Sequence, residues 1–302
     1  RDSVLGGRKR GDIVTTIDPT VEGYLEKILN DTEKAWKPDE IGGIVLDPKS
    51  GEVLAMATLP SFDPNETAKT KDVKIFSNPI VESVYEMGSI MKPLTMATGL
   101  DSDAITVNSK YDDTDCLTLD KKKICNHDRK SHGLTDMQTI LAKSLNVGAA
   151  TIALKIGSTT MISYLSKYGL DKKSGIDLPN EAAGLLGDLK TGRDIEIATA
   201  AYGQGIAVSP IVMARALSVL ANGGYLVTPR MVGEIDYLDG SVEKVETEKS
   251  ASILSSRTTD AVTKMLVEVV DKDLKGGKIK MERYSIAAKT GTAQVPDPKN
   301  GG

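Results

Sequence analysis

Ser89 and Lys92 are a candidate pair of nucleophile and base, three residues apart in the sequence. The run Gly88-Ser89-Ile90-Met91-Lys92-Pro93 suits a helix start, because the first-turn N–H groups have no helical partner and proline is tolerated there. A helix that begins at Ser89 places its hydroxyl at the positive end of the helix and Lys92 one turn later on the same face. A lysine with a depressed pKa can then serve as the base that a serine nucleophile needs.

The same spacing recurs in Ser241-Val242-Glu243-Lys244, a charged stretch without a helix start. A serine and a lysine three residues apart are expected about once by chance in a chain of this size. The spacing alone therefore fits an exposed helix or turn at either position. The helix start favours Ser89 as the nucleophile.

Ser144 and Asn146 form a second candidate pair, at the end of the amphipathic segment 135–144. A hydroxyl and a carboxamide two residues apart on a tight turn can both face one cleft. The hydroxyl can relay a proton there, and the amide can hold a peptide carbonyl. The alternative is structural: the serine ends one helix and the asparagine caps the next.

Lys289-Thr290-Gly291-Thr292 is the third candidate, and it follows an alternating stretch, 284–288, that predicts a strand. On a strand the lysine and the glycine share one face, and the two threonines share the other. A cation and hydroxyls suit a carboxylate ligand, and the glycine leaves room for a substrate lying along the strand. A second copy, Lys190-Thr191-Gly192, lies among glycines and charged residues, where we expect a surface turn.

The elements around these residues predict a sheet assembled from the two ends of the chain, with helices between. The stretch 11–18 predicts a strand that runs into a helix capped by Asp18 and started by Pro19. Apolar runs at 42–47 and 52–58 predict a hairpin. Further helices are predicted at 89–100, 135–144, 147–156, 159–168, 210–221 and 258–270. We expect one two-lobed α/β domain over 1–302, with a sheet lobe at about 1–66 and 271–302 and a helical lobe at about 67–270.

Composition and charge exclude some classes of function for this chain. The 302 residues include 38 Lys and Arg against 42 Asp and Glu, for a net charge of −4, and only 4% are aromatic. Such a chain has neither the basic surface nor the stacking side chains of a nucleic-acid binder. It contains no apolar run long enough to span a membrane. Because it starts at Arg1 without an initiator methionine, we expect a piece of a longer protein with an anchor before it.

Cys116 and Cys125 face each other across a predicted hairpin whose tip is Asp120-Lys121. A disulfide between them is geometrically feasible and would imply an oxidising compartment. A zinc site is an alternative, since His127 and His132 could complete four ligands, although the eight residues between the cysteines exceed the usual zinc spacing. Two buried free thiols are the third possibility.

Taken together, the three motifs resemble those of penicillin-binding proteins and class A β-lactamases, where Ser-x-x-Lys, Ser-x-Asn and Lys-Thr-Gly occur in this order. The likeness covers nearly the whole chain. Two stretches resemble leading segments of the class B, monofunctional branch: Thr15-Thr16-Ile17-Asp18 and Phe62-Asp63-Pro64-Asn65. A later helical region of the family is similar to Tyr202-Gly203-Gln204-Gly205-Ile206. Gly203-Gln204-Gly205 lacks the third glycine of a dinucleotide-binding fingerprint.

The resemblance implies that Ser89 is the acylated nucleophile and Lys92 its base. Ser144 would pass a proton to the leaving group. The backbone N–H groups of Ser89 and Thr292 would form the oxyanion hole. Two lysines in one cleft also disfavour each other's charge, which would help to keep Lys92 neutral.

The remaining motif residues would bind substrate. Asn146 would hold the substrate amide. Lys289 would supply positive potential, and the hydroxyls of Thr290 and Thr292, on either side of Gly291, would meet a terminal carboxylate. Alanine precedes Lys289 where the family usually has glycine, which is a mild departure.

The fold implied by the resemblance is the β-lactamase/transpeptidase-like α/β fold: an antiparallel sheet flanked by helices, with an inserted all-helical subdomain. The strands that follow the third motif in this family are expected beyond Gly302. The implied activity is D,D-transpeptidation of peptidoglycan stem peptides that end in D-Ala-D-Ala, through an acyl-enzyme that β-lactam antibiotics also form. The resemblance requires no metal and no cofactor.

The implied location is the extracytoplasmic face of the bacterial membrane, with a membrane glycosyltransferase and division or elongation proteins as partners of the full-length protein. One alternative is a β-lactamase or D,D-carboxypeptidase, which needs a base for the deacylating water. Glu181 has the right place in the order of motifs, but Ala182-Ala183-Gly184 follows it and not the class A ending. The other alternative is a non-catalytic β-lactam sensor or division scaffold.

Overall fold

The computed structural model describes residues 10–70 and 72–293. In these ranges no helix combines the length and the apolar character needed to cross a bilayer. The strands are β1 (Gly11–Thr15), β2 (Ile41–Leu46), β3 (Val53–Leu59), β4 (Lys110–Asp113), β5 (Cys116–Leu119), β6 (Lys122–Cys125), β7 (Gly133–Asp136), β8 (Tyr225–Val227), β9 (Val232–Tyr237), β10 (Val242–Lys244) and β11 (Lys249–Ser252).

The α-helices are α1 (Pro19–Trp36), α2 (Pro79–Glu82), α3 (Lys92–Asp101), α4 (Met137–Ala142), α5 (Asn146–Ile156), α6 (Ser158–Lys167), α7 (Asp194–Ala200), α8 (Pro210–Ala221) and α9 (Ser256–Glu268). Short 3₁₀ turns lie at Thr67–Lys69, Val73–Phe76, Gly88–Met91, Gly187–Thr191 and Leu274–Gly277, and a π turn continues α9 over Val269–Asp273. The predicted helices at 89–100, 147–156, 159–168, 210–221 and 258–270 are confirmed to within a few residues as α3, α5, α6, α8 and α9.

The amino-terminal elements form as the sequence predicts. Asp18 caps α1, because its Oδ1 accepts hydrogen bonds from the backbone N–H groups of Thr20 at 2.8 Å and Val21 at 3.1 Å. β2 and β3 pair antiparallel as the predicted hairpin. The Thr16 hydroxyl, just after β1, donates to the Val53 carbonyl oxygen at 2.7 Å and ties the first strand to this hairpin.

β1 finds its sheet partner far along the chain. It pairs antiparallel with β9, and β10 pairs with the other side of β9. Both β9 and β10 lie inside 67–270, the predicted helical lobe, and the sequence analysis predicts no strand at either position. A short alternating segment becomes a strand only when a distant partner supplies the ladder hydrogen bonds, and local sequence does not reveal that partner. The predicted bounds of the two lobes stay a prediction.

Two further local predictions are wrong. The segment 284–288 forms no strand, because none of the described strands runs beside it to supply a ladder. The predicted helix 135–144 is divided: its first residues belong to β7, which pairs with β4, and only α4 is helical. Asp136 sets this boundary, because its Oδ1 accepts the Thr139 N–H at 2.8 Å as a helix N-cap. The sequence analysis also did not predict α2 and α7.

α3 is the central helix of the fold. Every residue from Lys92 to Gly99 is buried, and α3 packs against α5, α8 and α9. Leu94, Met96 and Ala97 belong to the main hydrophobic core. A helix that is buried on all sides has no solvent-facing stripe, so the lysine in its first turn is buried as well.

Candidate active site

Backbone packing holds Ser89 at the start of the central helix, in the 3₁₀ turn Gly88–Met91. Gly88 has a φ of +56°, and a Cβ there would lie 2.4 Å from the Thr292 carbonyl oxygen. Gly203 closes the other side, since a Cβ there would lie 2.2 Å from the Gly88 carbonyl oxygen. The Gly88 N–H donates to the Gly203 carbonyl oxygen at 3.1 Å. Only glycine fits at both positions, so three backbone segments meet around the serine.

Lys92 reaches Ser89 from the first turn of α3. Its Nζ lies 3.1 Å from Ser89 Oγ and 3.0 Å from Ser144 Oγ, and the residue is 1% exposed. Burial, and after it the positive charge of Lys289, lowers the pKa of Lys92 to about 6. At pH 7 about nine-tenths of such amines are neutral. A neutral amine beside a hydroxyl can accept its proton.

The other contacts of Lys92 direct its lone pair. Its Nζ donates to the Ser144 carbonyl oxygen at 2.5 Å and to Asn146 Oδ1 at 2.8 Å. Both oxygens only accept, so they take the two N–H groups of the neutral amine. Asn146 Nδ2 donates to the Cys125 carbonyl oxygen at 3.1 Å, which sets the amide with its oxygen towards the lysine. The lone pair of the neutral Lys92 amine is therefore available to accept a proton from the hydroxyl of Ser89 or Ser144.

A strained turn presents Ser144 and Asn146 together. Ser144 has a φ of +56° between α4 and α5, a conformation that is uncommon for a residue with a side chain. The Leu145 N–H donates to the Ile140 carbonyl oxygen at 3.0 Å and closes the end of α4. The capping alternative is wrong, because Leu145 is the N-cap of α5 and makes no side-chain cap hydrogen bond, while Lys143 is the C-cap of α4. Ser144 and Asn146 do lie at a helix–helix junction, and both side chains contact Lys92 there.

Lys289 lies on the far side of Ser144 from Lys92. Its Nζ donates to Ser144 Oγ at 2.9 Å and to the Thr290 carbonyl oxygen at 2.9 Å. Burial lowers the pKa of Lys289 to about 8. At pH 7 Lys289, with a pKa of about 8, is mostly charged, while Lys92, with a pKa of about 6, is mostly neutral. Burial lowers both pKa values, and the charge of Lys289 lowers that of Lys92 further. The Ser144 hydroxyl therefore contacts both a proton acceptor, Lys92, and a proton donor, Lys289.

Gly291 of the Lys-Thr-Gly motif packs against the turn that carries Ser89. A Cβ on Gly291 would lie 2.9 Å from Ile90 Cγ2 and 3.0 Å from the Met87 carbonyl oxygen. The absent side chain therefore makes room for the protein's own turn, a reason other than the expected room for a substrate. Thr290 and Thr292 line the cleft.

A cleft of about 730 Å³ opens in front of Ser89. Of the eight residues predicted for the site, those that line the cleft are Ser89, Ser144, Asn146, Thr290 and Thr292. The hydrogen bonds above bring Lys92 and Lys289 to the same centre. The sequence analysis named no site role for several other residues that line the cleft, because they belong to none of the three motifs: Lys123 in β6, Arg129, Lys143, Tyr202 and Gln204.

Cys116 and Cys125 are joined by a disulfide. They lie directly opposite each other in the β5–β6 hairpin, as the predicted register requires. Asp120 and Lys121 both have positive φ and form the two-residue tip. A disulfide leaves no thiolate for zinc, so the zinc alternative and the free-thiol alternative are both wrong. The described residues also contain no group of three or more His, Cys, Asp or Glu arranged to hold a metal ion.

The second copies of the motifs lie in other kinds of structure. Ser241 precedes the exposed strand β10, which contains Lys244. Thr191 ends the 3₁₀ turn Gly187–Thr191, and Gly192 follows it with a φ of +68°. The expected turn at this position is confirmed, and neither copy lies at a helix start.

Glu181 is bound to backbone away from the cleft. Its carboxylate accepts the N–H of Ser174 and, at 3.0 Å, that of Gly175. The residue is buried, and it is not one of the described residues that line the cleft. Its contacts indicate a structural role in closing a loop and not the activation of a water beside Ser89.

Comparisons with known proteins identify the family of the chain. A model of the family described as penicillin binding protein transpeptidase domain matches residues 41–302. Stage V sporulation protein D of Bacillus subtilis is 31% identical over 294 residues, covering 95% of this chain and 45% of that protein. The peptidoglycan D,D-transpeptidase FtsI of Escherichia coli is 28% identical over 290 residues, covering 95% of this chain and 46% of that protein. The chain spans less than half the length of these curated relatives.

Solved structures confirm the fold class. The crystal structure of penicillin binding protein 3 from Mycobacterium tuberculosis, complexed with aztreonam, superposes with a TM-score of 0.88 at 26% identity and covers 99% of this chain and 68% of that one. Penicillin binding protein 2X from Streptococcus thermophilus has the same fold, with a TM-score of 0.86 at 23% identity, covering 96% of this chain and 44% of that one. Helices and antiparallel strands are arranged here as in these transpeptidase structures. The chain belongs to the penicillin-binding protein transpeptidase family, in its class B branch.

Proposed function

We propose that this chain is the acyl-transfer domain of a peptidoglycan D,D-transpeptidase, with Ser89 as its nucleophile. The observation that carries the proposal is the position of Lys92, buried and mostly neutral at pH 7, with Nζ 3.1 Å from Ser89 Oγ. A serine hydroxyl becomes a strong nucleophile only when a base stands ready for its proton. Among the described residues, the groups that can donate a proton to the lone pair of that base are the hydroxyls of Ser89 and Ser144.

The first half of the reaction forms an acyl-enzyme. Ser89 Oγ attacks the carbonyl carbon between the last two residues of a stem peptide ending in D-Ala-D-Ala, and its proton passes to Lys92. The C–N bond then breaks. The departing amine takes a proton from Ser144, which Lys92 replenishes across the 3.0 Å between Nζ and Ser144 Oγ. The charge on Lys289 stabilises Ser144 Oγ while its proton moves.

The second half transfers the acyl group. An amine of a neighbouring strand attacks the ester carbonyl and loses a proton to Lys92, and Ser89 leaves with its hydroxyl restored. The backbone N–H groups of Ser89 and Thr292 would hold the oxyanion in both steps. Asn146 would bind the substrate amide. The hydroxyls of Thr290 and Thr292, beside Gly291, would bind the terminal carboxylate near Lys289.

Hydrolysis is the less favoured activity. A β-lactamase or D,D-carboxypeptidase must activate a water for deacylation, and Glu181 is occupied by backbone N–H groups outside the cleft. A scaffold that binds without reacting would not need a depressed lysine pKa beside its serine, so the buried base favours acylation. Slow loss of the acyl group without transfer to an amine acceptor would instead favour the sensor.

We also propose that the domain works on the extracytoplasmic side of a bacterial membrane, anchored through another part of the protein. The Cys116–Cys125 disulfide supports an oxidising compartment. The expected partners of the whole protein are a membrane glycosyltransferase and division or elongation proteins.

Covalent labelling with a fluorescent penicillin tests the proposal. The wild-type protein should carry the label on the peptide that contains Ser89, and Ser89→Ala should lose it, since removing such a nucleophile costs about 10⁶-fold in rate. Ser241→Ala is the matched control and should label like wild type. Label retained in Ser89→Ala, or mapped to Ser241, would refute the assignment.

A further inference from the structure

Three basic side chains lie along one wall of the cleft. Lys123, Arg129 and Lys143 line the cleft on the side of Asn146, and the lining contains no Asp or Glu in the part of the chain described. The whole chain has a net charge of −4. Basic residues are therefore concentrated at this cleft although the whole chain has a negative net charge. Such a concentration of positive charge attracts anions.

None of these three cations has an anionic partner among the described residues. No described carboxylate lies within 4 Å of the charged nitrogens of Lys123, Arg129 or Lys143. The nearest acid in the same loop, Asp128, contacts His132 Nε2 at 3.0 Å, and the Lys143 Nζ lies 3.3 Å from the other ring nitrogen of His132. These three side chains are free to meet an anion that enters the cleft.

The loop that carries Arg129 is fixed from within the protein. Asn126 is 1% exposed, and its Nδ2 donates to Asp113 Oδ2 at 2.9 Å while its Oδ1 accepts the Val147 N–H at 3.1 Å. At the other end of the loop the His132 N–H donates to the same Asp113 oxygen at 3.1 Å. Asp113 itself is fully buried. The loop is thus attached at both ends to one buried carboxylate, and the wall is already formed before a ligand binds.

We propose that Lys123, Arg129 and Lys143 form an anion subsite for a second carboxylate on the acyl-donor peptide. This inference rests on the function proposed above. The terminal carboxylate of the donor belongs to the opposite side of the cleft, at Thr290 and Thr292, and departs with the leaving group. The subsite lies beside Asn146, where the part of the donor that precedes the acylated residue must pass. Its ligand is a side-chain carboxylate on that preceding part, and it selects anionic donor peptides over neutral ones.

Two penicillins that differ by one carboxylate test the subsite. Carbenicillin is benzylpenicillin with an added carboxylate on its side chain, the part that takes the place of the preceding residue of the donor. We expect Arg129→Gln to lower the second-order acylation rate constant of carbenicillin about threefold, and Lys123→Gln with Arg129→Gln about tenfold, as for exposed charge contacts. The rate constant of benzylpenicillin should not change. Added NaCl should slow carbenicillin more in the wild type than in the double variant.

Lys172→Gln is the matched control, because it removes an exposed lysine that does not line the cleft. Thermal unfolding of every variant checks that these exposed substitutions leave the fold intact. Equal losses for the two penicillins, or the same carbenicillin loss in Lys172→Gln, would overturn the subsite while Ser89 acylation persists. Absence of acylation by benzylpenicillin in the wild type would instead overturn the proposed function, and the subsite with it.

Discussion

Ser89 with Lys92 and Ser241 with Lys244 share one spacing and have opposite surroundings. The first pair lies on a 3₁₀ turn and the buried helix α3, where residues three apart share a face. The second pair lies at the exposed strand β10, where residues three apart point to opposite faces. Ser241 is bound locally, since its N–H and hydroxyl both donate to Asp239 Oδ1, at 2.9 and 2.5 Å. The same residue types therefore form a buried amine–hydroxyl contact in one place and a turn in the other.

The difference shows that burial, and not spacing, sets the pKa of the lysine. Lys92 is 1% exposed and close to a second lysine, and both facts lower its pKa. Lys244 is exposed. A lysine in water stays protonated at neutral pH and cannot accept a proton from serine.

Replacing each lysine of the two pairs tests the comparison most strongly. We expect Lys92→Met to lower the acylation rate constant by about 10²–10⁴-fold, the range that a positioned general base supplies. Methionine keeps most of the apolar stem in the core, so the fold should persist. Lys244→Met should acylate like wild type. The measurement is stopped-flow acylation by a fluorescent penicillin, and similar rates for the two variants would show that burial of Lys92 is irrelevant to the chemistry.

The two Lys-Thr-Gly copies extend the comparison. Lys289→Ala should slow acylation by about 10²–10³-fold, because it removes one directed charge from a preorganised cleft. Lys190→Ala should leave acylation unchanged and alter stability by no more than about 0.5 kcal/mol, as expected for a residue in a turn. A larger loss at Lys190 than at Lys289 would place the site elsewhere.

The disulfide hairpin supports the pair Ser89 and Lys92 through Asn146, and this support gives a third test of the comparison. The Cys125 carbonyl oxygen holds Asn146, which in turn contacts Lys92. In the chain-entropy model, a closed loop of about ten residues stabilises by roughly 2–3 kcal/mol. We expect Cys116→Ser with Cys125→Ser to lose about that much on urea unfolding, while Ser89 still acylates. Unreduced protein should resist alkylation at both cysteines, and two freely alkylated thiols would disprove the bridge.

Local features of the site and fold were predictable from the sequence. Asp18 and Pro19 start α1, and an alternating hairpin places Cys116 opposite Cys125, because caps and two-residue turns depend on neighbouring residues. The three motifs identified the residues around Ser89 for the same reason. Each carries its signal within a few residues.

Features that depend on distant partners were not predictable. The pairing of β1 with β9 joins residues more than 200 positions apart, and the unpaired segment 284–288 has a strand pattern without a described partner. Gly203 and Gly291 owe their identity to backbone that approaches from elsewhere in the chain. The cationic wall likewise exists only because β6, its following loop and the end of α4 meet at the cleft. The spacing of residues along the sequence does not reveal such contacts.

The pH dependence of acylation is the finest test of the contrast between a buried and an exposed lysine. Burial lowers the pKa of Lys92 to about 6, so the fraction of neutral base rises as pH increases through that value. We expect the rate constant to fall about tenfold for each pH unit below it, since protonated lysine cannot accept a proton. Above the Lys289 pKa of about 8 the rate should decline again, because that residue loses its charge.

Lys289→Ala separates the two limbs of this profile. The alkaline decline should disappear with the group that causes it. The acid limb should move to higher pH, because the charge of Lys289 is one of the two causes that lower the pKa of Lys92. Lys190→Ala is the control and should keep the wild-type profile. A rate that stays flat between pH 5 and 7 in the wild type would mean that Lys92 is not the base, and that its burial beside Ser89 has no catalytic consequence.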